Sequence, residues 1–92
     1  MSVKFRLGSR PPFASSWRTT YHVSLGDALI SALRKHNREW SVDSITQEQR
    51  VIFSRDELLQ AFTQMNDLTN ELPKRTVHEI AEQIISEMNK AG

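Results

Sequence analysis

Apolar and polar residues alternate with a period of two along two stretches near the start of the chain, a pattern typical of β-strands. The apolar positions of the first stretch are Val3, Phe5 and Leu7. In the second stretch, one face carries Trp17, Thr19, Tyr21 and Val23, and the other carries Arg18, Thr20, His22 and Ser24. Turn-forming residues 8–12 separate the stretches and include two prolines, which fix φ and lack a backbone donor. We therefore predict two antiparallel strands joined by a long loop, with the aromatic row facing the core.

Three helix starts share one signature, a hydroxyl residue followed three positions later by an acid. The pairs are Ser24 and Asp27, Ser54 and Glu57, and Thr76 and Glu79. In each pair the hydroxyl can accept a hydrogen bond from the amide of the acid, and the acid lies near the positive end of the helix. Apolar residues at helical spacing follow each start, so we predict helices over residues 25–39, 55–71 and 77–90. The second ends before Leu72, because Pro73 disfavours helical backbone at the residue before it.

β-branched and aromatic residues between the first two helices predict a second hairpin. Its strands would cover Trp40–Thr46 and Arg50–Phe53, with residues 47–49 as a turn that lacks the usual glycine. The predicted order of elements is therefore β-β-α-β-β-α-α. Its simplest assembly is an α+β fold, a small single domain over residues 1–92 in which helices pack on one face of an antiparallel sheet.

The composition excludes several classes of protein. None of the 92 residues is a cysteine, so there is no disulfide framework and no thiolate chemistry. The longest apolar runs, ALI and VIF, have three residues, too few for a secretory signal or a membrane span. We therefore expect a soluble, cytoplasmic protein with no membrane partner.

The net charge of +1 conceals an uneven distribution along the chain. Residues 1–38 contain seven lysines and arginines against one acid, a net charge of +6. Residues 39–92 contain five against ten acids, a net charge of −5. Such a division suggests a polyanion contact on one side of the molecule. The alternative is attraction between the two halves within the folded protein.

The candidate nucleic-acid or partner-binding residues all lie in the basic half. They are Lys4, Arg6, Arg10, Arg18, His22, Arg34, Lys35, Asn37 and Arg38. The bases of the first hairpin would share its outer face and suit contact with a phosphate backbone rather than base readout. The cluster RKHNR ends the first helix with more cations than its dipole requires. Two alternatives are a merely solvated basic face and a surface for an acidic protein partner. For the aromatic row, stacking on exposed bases is the alternative to a place in the core.

No pattern of catalytic or metal-ligating residues stands out. The string His78-Glu79-Ile80-Ala81-Glu82 has Glu82 where a zinc metalloprotease motif has its second histidine, and Glu79 is explained as a capping acid. The three glycines are isolated, so no phosphate-binding glycine loop exists. A Gly-x-Ser-x-Gly nucleophile elbow is also missing. We expect a protein that is not an enzyme, with no catalytic residues, no metal site and no cofactor.

A short, cysteine-free chain with a basic first half and the opening MSVKFRLGSRPPFASSWRTTYH resembles the small phage-encoded anti-CRISPR proteins. Within that group it is similar to inhibitors of the type I-F surveillance complex. The resemblance extends over the whole length rather than a motif, so the candidate residues above come from the charge pattern alone. It implies non-enzymatic inhibition in the cytoplasm of the host cell, by binding the ribonucleoprotein and blocking recognition of target DNA. The partners would be the protein subunits and guide RNA of the CRISPR surveillance complex, whose RNA lies in a positively charged channel.

Two other functions fit the same charge division. One is a small cytoplasmic DNA-binding regulator that places a basic N-terminal β-ribbon on the duplex and dimerises through the third helix. Apolar residues spaced as in that helix more often seal a monomer's own core, so we expect a monomer. The other is an adaptor for an acidic protein partner.

Overall fold

The computed structural model of the protein describes residues 4–91. Its strands are β1 (Phe5–Arg10), β2 (Arg18–His22), β3 (Ser41–Gln47) and β4 (Arg50–Phe53), and its helices are α1 (Leu25–Asn37), α2 (Arg55–Glu71) and α3 (Val77–Ala91). The predicted α+β class and element order are confirmed. Val3, which we assigned to the first strand, lies outside the described residues.

The four strands form one antiparallel sheet in the order β2-β1-β3-β4. The helices α1 and α2 pack on one face of it, and α3 packs against both of them. The core therefore lies between the sheet and the helices. Its largest buried side chains are Leu7, Leu29, Ile45, Leu58, Phe62, Met65 and Ile80. The opposite side of the sheet, which we call the open face, carries exposed side chains such as Tyr21 and Val51.

The helix starts lie where the hydroxyl–acid pairs predicted them. Ser54 forms a full capping box, since its Oγ accepts from Glu57 N at 3.2 Å and Glu57 Oε1 accepts from Ser54 N at 3.1 Å. Oγ of Ser24 accepts from the amide of Asp27 at 3.1 Å, and Oγ1 of Thr76 does the same for Glu79 at 3.2 Å. These bonds satisfy amides that have no partner within the helix.

The first helix ends two residues earlier than predicted, in a Schellman motif. The amide of Glu39 donates to the carbonyl of His36 at 3.0 Å, and that of Trp40 donates to the carbonyl of Lys35 at 2.9 Å. Glu39 takes the left-handed position of this motif, with φ of 67°, where glycine is usual. The motif turns the chain directly from α1 into β3.

β1 is longer than predicted, because residues 8–10 continue the strand instead of turning. The strand lies inside the sheet and pairs with both β2 and β3, so both of its edges are hydrogen-bonded through this region. Gly8 permits the close approach of its neighbours. A Cβ added there would lie 3.3 Å from Cβ of Asp43 and 3.9 Å from Cε3 of Trp17.

The prediction for the faces of β2 was wrong. In the observed register, Leu7 pairs with Thr20 and Phe5 with His22, so Thr20 and His22 lie on the helix side. The aromatic row therefore lies on the open face, where Trp17 is 48% and Tyr21 61% exposed. The reason is positional: β2 is an edge strand, and the side chains of β1 and β3 already fill the core beneath the helices.

Candidate nucleic-acid interface

The candidate binding residues divide between two surfaces instead of sharing one. Lys4 and Arg6 alternate with the buried Leu7 and lie on the open face, where Arg6 pairs with Tyr21. His22 lies on the opposite, helix side, and so does Arg18, which pairs with the buried Ser9. The prediction that these four residues share an outer face is corrected by this register.

On the helix side, basic side chains from α1 and β2 converge on one open groove of about 430 Å³. Its basic members are His22, Arg34, Lys35, Arg38 and His78, and we call it the basic groove. The rest of its lining consists of Asp27, Ile30 and Ser31, which all belong to α1. Arg34 and Arg38 are four residues apart, so helical geometry places them on the same side of α1. The last turn of α1 thus presents its cations towards the end of β2.

Lys35 is the most constrained cation of the groove. Its Nζ donates to Oγ of Ser9 at 2.9 Å, and it lies 5.5 Å from the ring centroid of Trp40. Burial lowers the pKa of Lys35, and the positive charge of Arg18 lowers it further. The folded protein therefore holds an ammonium group with a hydroxyl and an aromatic ring as partners, and an arriving anion would stabilise its charged form.

His22 lies beside this ammonium at the end of β2. Burial lowers the pKa of His22, the charge of Lys35 adds to the effect, and Asp27 opposes it. Asp27 is itself 3.5 Å from Nε2 of His78, which reaches the groove from α3. Its carboxylate is the one acidic side chain among the lining residues of the groove. The groove thus has a predominantly positive field and hydrogen-bond donors on three elements, which suits phosphate oxygens.

The other candidate residues have different surroundings. Arg10, at the end of β1, lies with its Cζ 5.4 Å from the ring centroid of Trp17. Asn37 is exposed at the last residue of α1 and is not among the residues that line the groove. His36 of the RKHNR cluster stacks on Phe62, with ring centroids 4.9 Å apart.

Sequence reasoning missed three contributors to the groove, namely Ser9, Asp27 and His78. Ser9 continues the alternation of Phe5 and Leu7, a signal that was available but was interpreted as a turn. Asp27 was assigned only a capping role, and it keeps that role while its carboxylate contacts His78. His78 had no local signal, because it reaches the groove only through the packing of α3 against α1.

Two other kinds of feature are absent from residues 4–91, a cluster of metal ligands and a membrane-spanning helix. Among those residues, no three or more histidine, cysteine, aspartate or glutamate side chains are grouped so as to hold a metal ion. None of the helices in that range combines the length and apolar character needed to cross a membrane.

Comparison with known proteins gives no relative: no protein-family model, no curated protein and no solved structure matches the chain.

Proposed function

We propose that the protein is a non-enzymatic inhibitor that binds a ribonucleoprotein, with the type I-F CRISPR surveillance complex as its target, and blocks recognition of target DNA. The observation that carries the proposal is the convergence of Arg34, Lys35 and Arg38 on the basic groove, where His22 lies beside them. Phosphate contact requires cations held close together on one surface, and this groove provides them. The choice of target follows from the resemblance of the chain to anti-CRISPR proteins.

The groove suits phosphates rather than base edges. Its cations lie along the last turn of α1, whereas base readout in duplex DNA uses a helix or strand that enters a groove of the nucleic acid. Within residues 4–91, the partners of the Lys35 ammonium are the hydroxyl of Ser9 and the ring of Trp40, and no carboxylate forms an ion pair with it. A bound phosphate would therefore neutralise a charge that these residues leave unpaired. We therefore infer that the groove grips guide-RNA phosphates independently of their sequence.

The net charge of −5 over residues 39–92 supports a target of mixed charge. Exposed acids occupy the outer surfaces of α2 and α3, and they are Asp56, Glu57, Asp67, Glu71, Glu79, Glu82 and Glu87. Effector complexes surround their RNA with basic protein that is built to receive DNA. In our proposal the acidic helices contact that protein while the basic groove contacts the RNA.

The alternative of a DNA-binding regulator receives less support from the fold. The major groove of DNA admits a two-stranded ribbon, whereas β1 and β2 belong to a four-stranded sheet in which β1 is hydrogen-bonded to β3 as well. The cations of the two strands also lie on opposite faces.

The test is co-elution of the purified protein with a reconstituted type I-F surveillance complex, followed by measurement of target-DNA binding. We expect stable co-elution and loss of DNA binding. The variant Arg34→Glu/Arg38→Glu should lose most of both effects. A matched control, Arg50→Glu/Lys74→Glu, makes the same charge change at exposed positions outside the groove and should behave as the wild type. Failure of the unmodified protein to co-elute would refute the proposed target, and equal behaviour of the two variants would refute the role of the groove.

A further inference from the structure

The open face of the sheet has a second arrangement that the basic groove does not use. Trp17 and Tyr21 both lie there with much of their surface exposed, and Phe13 at the tip of the preceding loop is fully exposed. Large aromatic side chains that are left in water by a folded domain mark an interaction site when they are grouped. We propose that this face binds single-stranded nucleic acid by stacking its bases on Trp17 and Tyr21.

The geometry of β2 sets the two rings apart along one line. Tyr21 lies in β2 and Trp17 immediately precedes that strand, so their Cα atoms are four residues of chain apart, about 13 Å at the usual rise of a strand. The indole of Trp17 lies over Gly8, which has no side chain to lift the ring away from the sheet. Tyr21 lies next to Arg6 in the register with β1. The two rings thus form a row along the edge of the sheet rather than a single cluster.

Cations interleave with the rings on the same face. Arg10 lies over the indole of Trp17, with its Cζ 5.4 Å from the ring centroid, and Arg6 lies beside Tyr21. A base that stacks on Trp17 takes the place of the Arg10 guanidinium, which is then free to contact the adjoining phosphate. Lys4, two residues before Arg6, is exposed on the same side by the alternation of the strand. An acid on this face, Asp43, accepts a hydrogen bond at 2.8 Å from the amide of Ser44. A site for single-stranded nucleic acid has two parts: aromatic rings on which the bases stack, and cations that contact the phosphate backbone. The open face has both.

The exposed rings select a single strand over a duplex. Bases in a duplex are stacked on each other and present only their edges, so Trp17 and Tyr21 could not reach their flat faces. A second protein with an acidic surface would use the cations but has no need of two separated rings. The inference concerns a different surface from the basic groove and does not depend on it.

The experiment uses the full chain with the substitution Trp40→Phe, which leaves Trp17 as its one tryptophan. Its fluorescence is followed during titration with single-stranded oligo(dU), oligo(U), an abasic strand of the same length, and a duplex. We expect both oligonucleotides with bases to quench Trp17 and to bind more tightly than the abasic strand and the duplex. The tighter of the two identifies the natural strand as DNA or RNA. Equal binding of the abasic strand would overturn the inference, because charge alone would then account for it.

A second experiment uses substitutions on the open face to test whether a base stacks on Tyr21. Tyr21→Ala should weaken oligonucleotide binding about 5- to 150-fold, the range for loss of one stacked base, whereas Tyr21→Phe should retain it. Val51→Ala is the matched control, since Val51 is exposed on the same face but away from the rings. Circular dichroism would verify that each variant is folded. Tyr21→Ala binding as tightly as Val51→Ala would overturn the inference.

The groove variant separates this inference from the proposed function. Arg34→Glu/Arg38→Glu should leave oligonucleotide quenching of Trp17 unchanged while it abolishes co-elution with the surveillance complex. Loss of quenching in this variant would place the strand in the groove and overturn the inference. Intact quenching with no co-elution of the unmodified protein would refute only the proposed target.

Discussion

Replacing Glu39 by glycine should stabilise the protein, because the end of α1 holds a non-glycine residue in the left-handed region. Glu39 has φ of 67° and occupies the position of the Schellman motif that glycine usually fills. Its side chain also places a negative charge at the negative end of the helix, next to Arg38. Both features act on the segment that carries the cations of the basic groove.

The expected gain in the free energy of unfolding from Glu39→Gly is the sum of two contributions, one from the backbone and one from the charge. A residue with a Cβ in left-handed backbone costs about 1–2 kcal/mol, and the greater freedom of glycine in the unfolded chain offsets about 0.5–1 kcal/mol of the gain. The net strain contribution therefore lies between about 0 and 1.5 kcal/mol, with about 0.5–1 kcal/mol at the centre of that range. Removal of the acid from the helix end adds about 0.3–1 kcal/mol. Each kcal/mol corresponds to a rise in Tm of roughly 4–8 °C for a domain of this size.

The assay is urea and thermal unfolding of the wild type, Glu39→Gly and Glu39→Ala. The alanine variant is the matched control, since it removes the charge but keeps the strained backbone. We expect Glu39→Gly to be the most stable of the three and to exceed Glu39→Ala by about 0.5–1 kcal/mol, the strain contribution alone. If glycine were no more stabilising than alanine, the left-handed residue would not be a source of strain and the reasoning would be refuted.

Three further predictions concern other parts of the fold. Ser54→Ala removes the bond from the amide of Glu57 to Oγ of Ser54 and should lower the free energy of unfolding by about 1 kcal/mol. Ser15→Ala in the exposed loop should change it little, and equal effects of the two substitutions on urea midpoints would contradict the role of the cap. Glu48 and Gln49 both have positive φ in the β3–β4 turn, where asparagine and glycine are favoured. Glu48→Asn/Gln49→Gly should therefore raise the free energy of unfolding by about 1 kcal/mol, and an unchanged urea midpoint would count against a strained turn. The pKa of His22 is lower in the folded protein than in the unfolded chain, so as the pH falls the unfolded chain takes up a proton on this residue before the folded protein does. The free energy of unfolding should therefore decrease as the pH drops from 6.5 towards the pKa of His22 in the folded protein. His22→Gln should lose this part of the pH dependence, and identical pH profiles of urea midpoints for the variant and the wild type would contradict the prediction.

Local patterns were enough to predict the three helices and the order of the elements along the chain. Ser24, Ser54 and Thr76 each provide a short-range signal, because a cap and its acceptor lie within three residues of each other. Pro73 likewise gave the end of α2 without any knowledge of tertiary contacts. The α+β class followed from these elements and their order.

The faces of β2 could not be predicted in the same way. Alternation shows which residues share a side, but it does not show which side meets the helices. Hydrophobicity favoured the core side of the strand for Trp17 and Tyr21. The pairing of β1 with both neighbours instead places Thr20 and His22 on the side that faces the helices. The binding surfaces were misassigned for this reason, since Arg6 and Arg18 lie one strand apart but on opposite sides. The bond between Lys35 and Ser9 joins residues 26 positions apart, and no local pattern reports it.

The position of β1 inside the sheet has a consequence for synthesis of the protein on the ribosome. β1 emerges first, but its second neighbour, β3, follows only after β2 and the whole of α1. The hairpin of β1 and β2 alone would be marginally stable, so the nascent chain carries an unpaired strand edge until β3 has left the exit tunnel. Lys4, Arg6 and Arg10 at and beside that strand would hinder its association with neighbouring nascent chains. The cations of the open face thus oppose aggregation of the nascent chain before the sheet has formed.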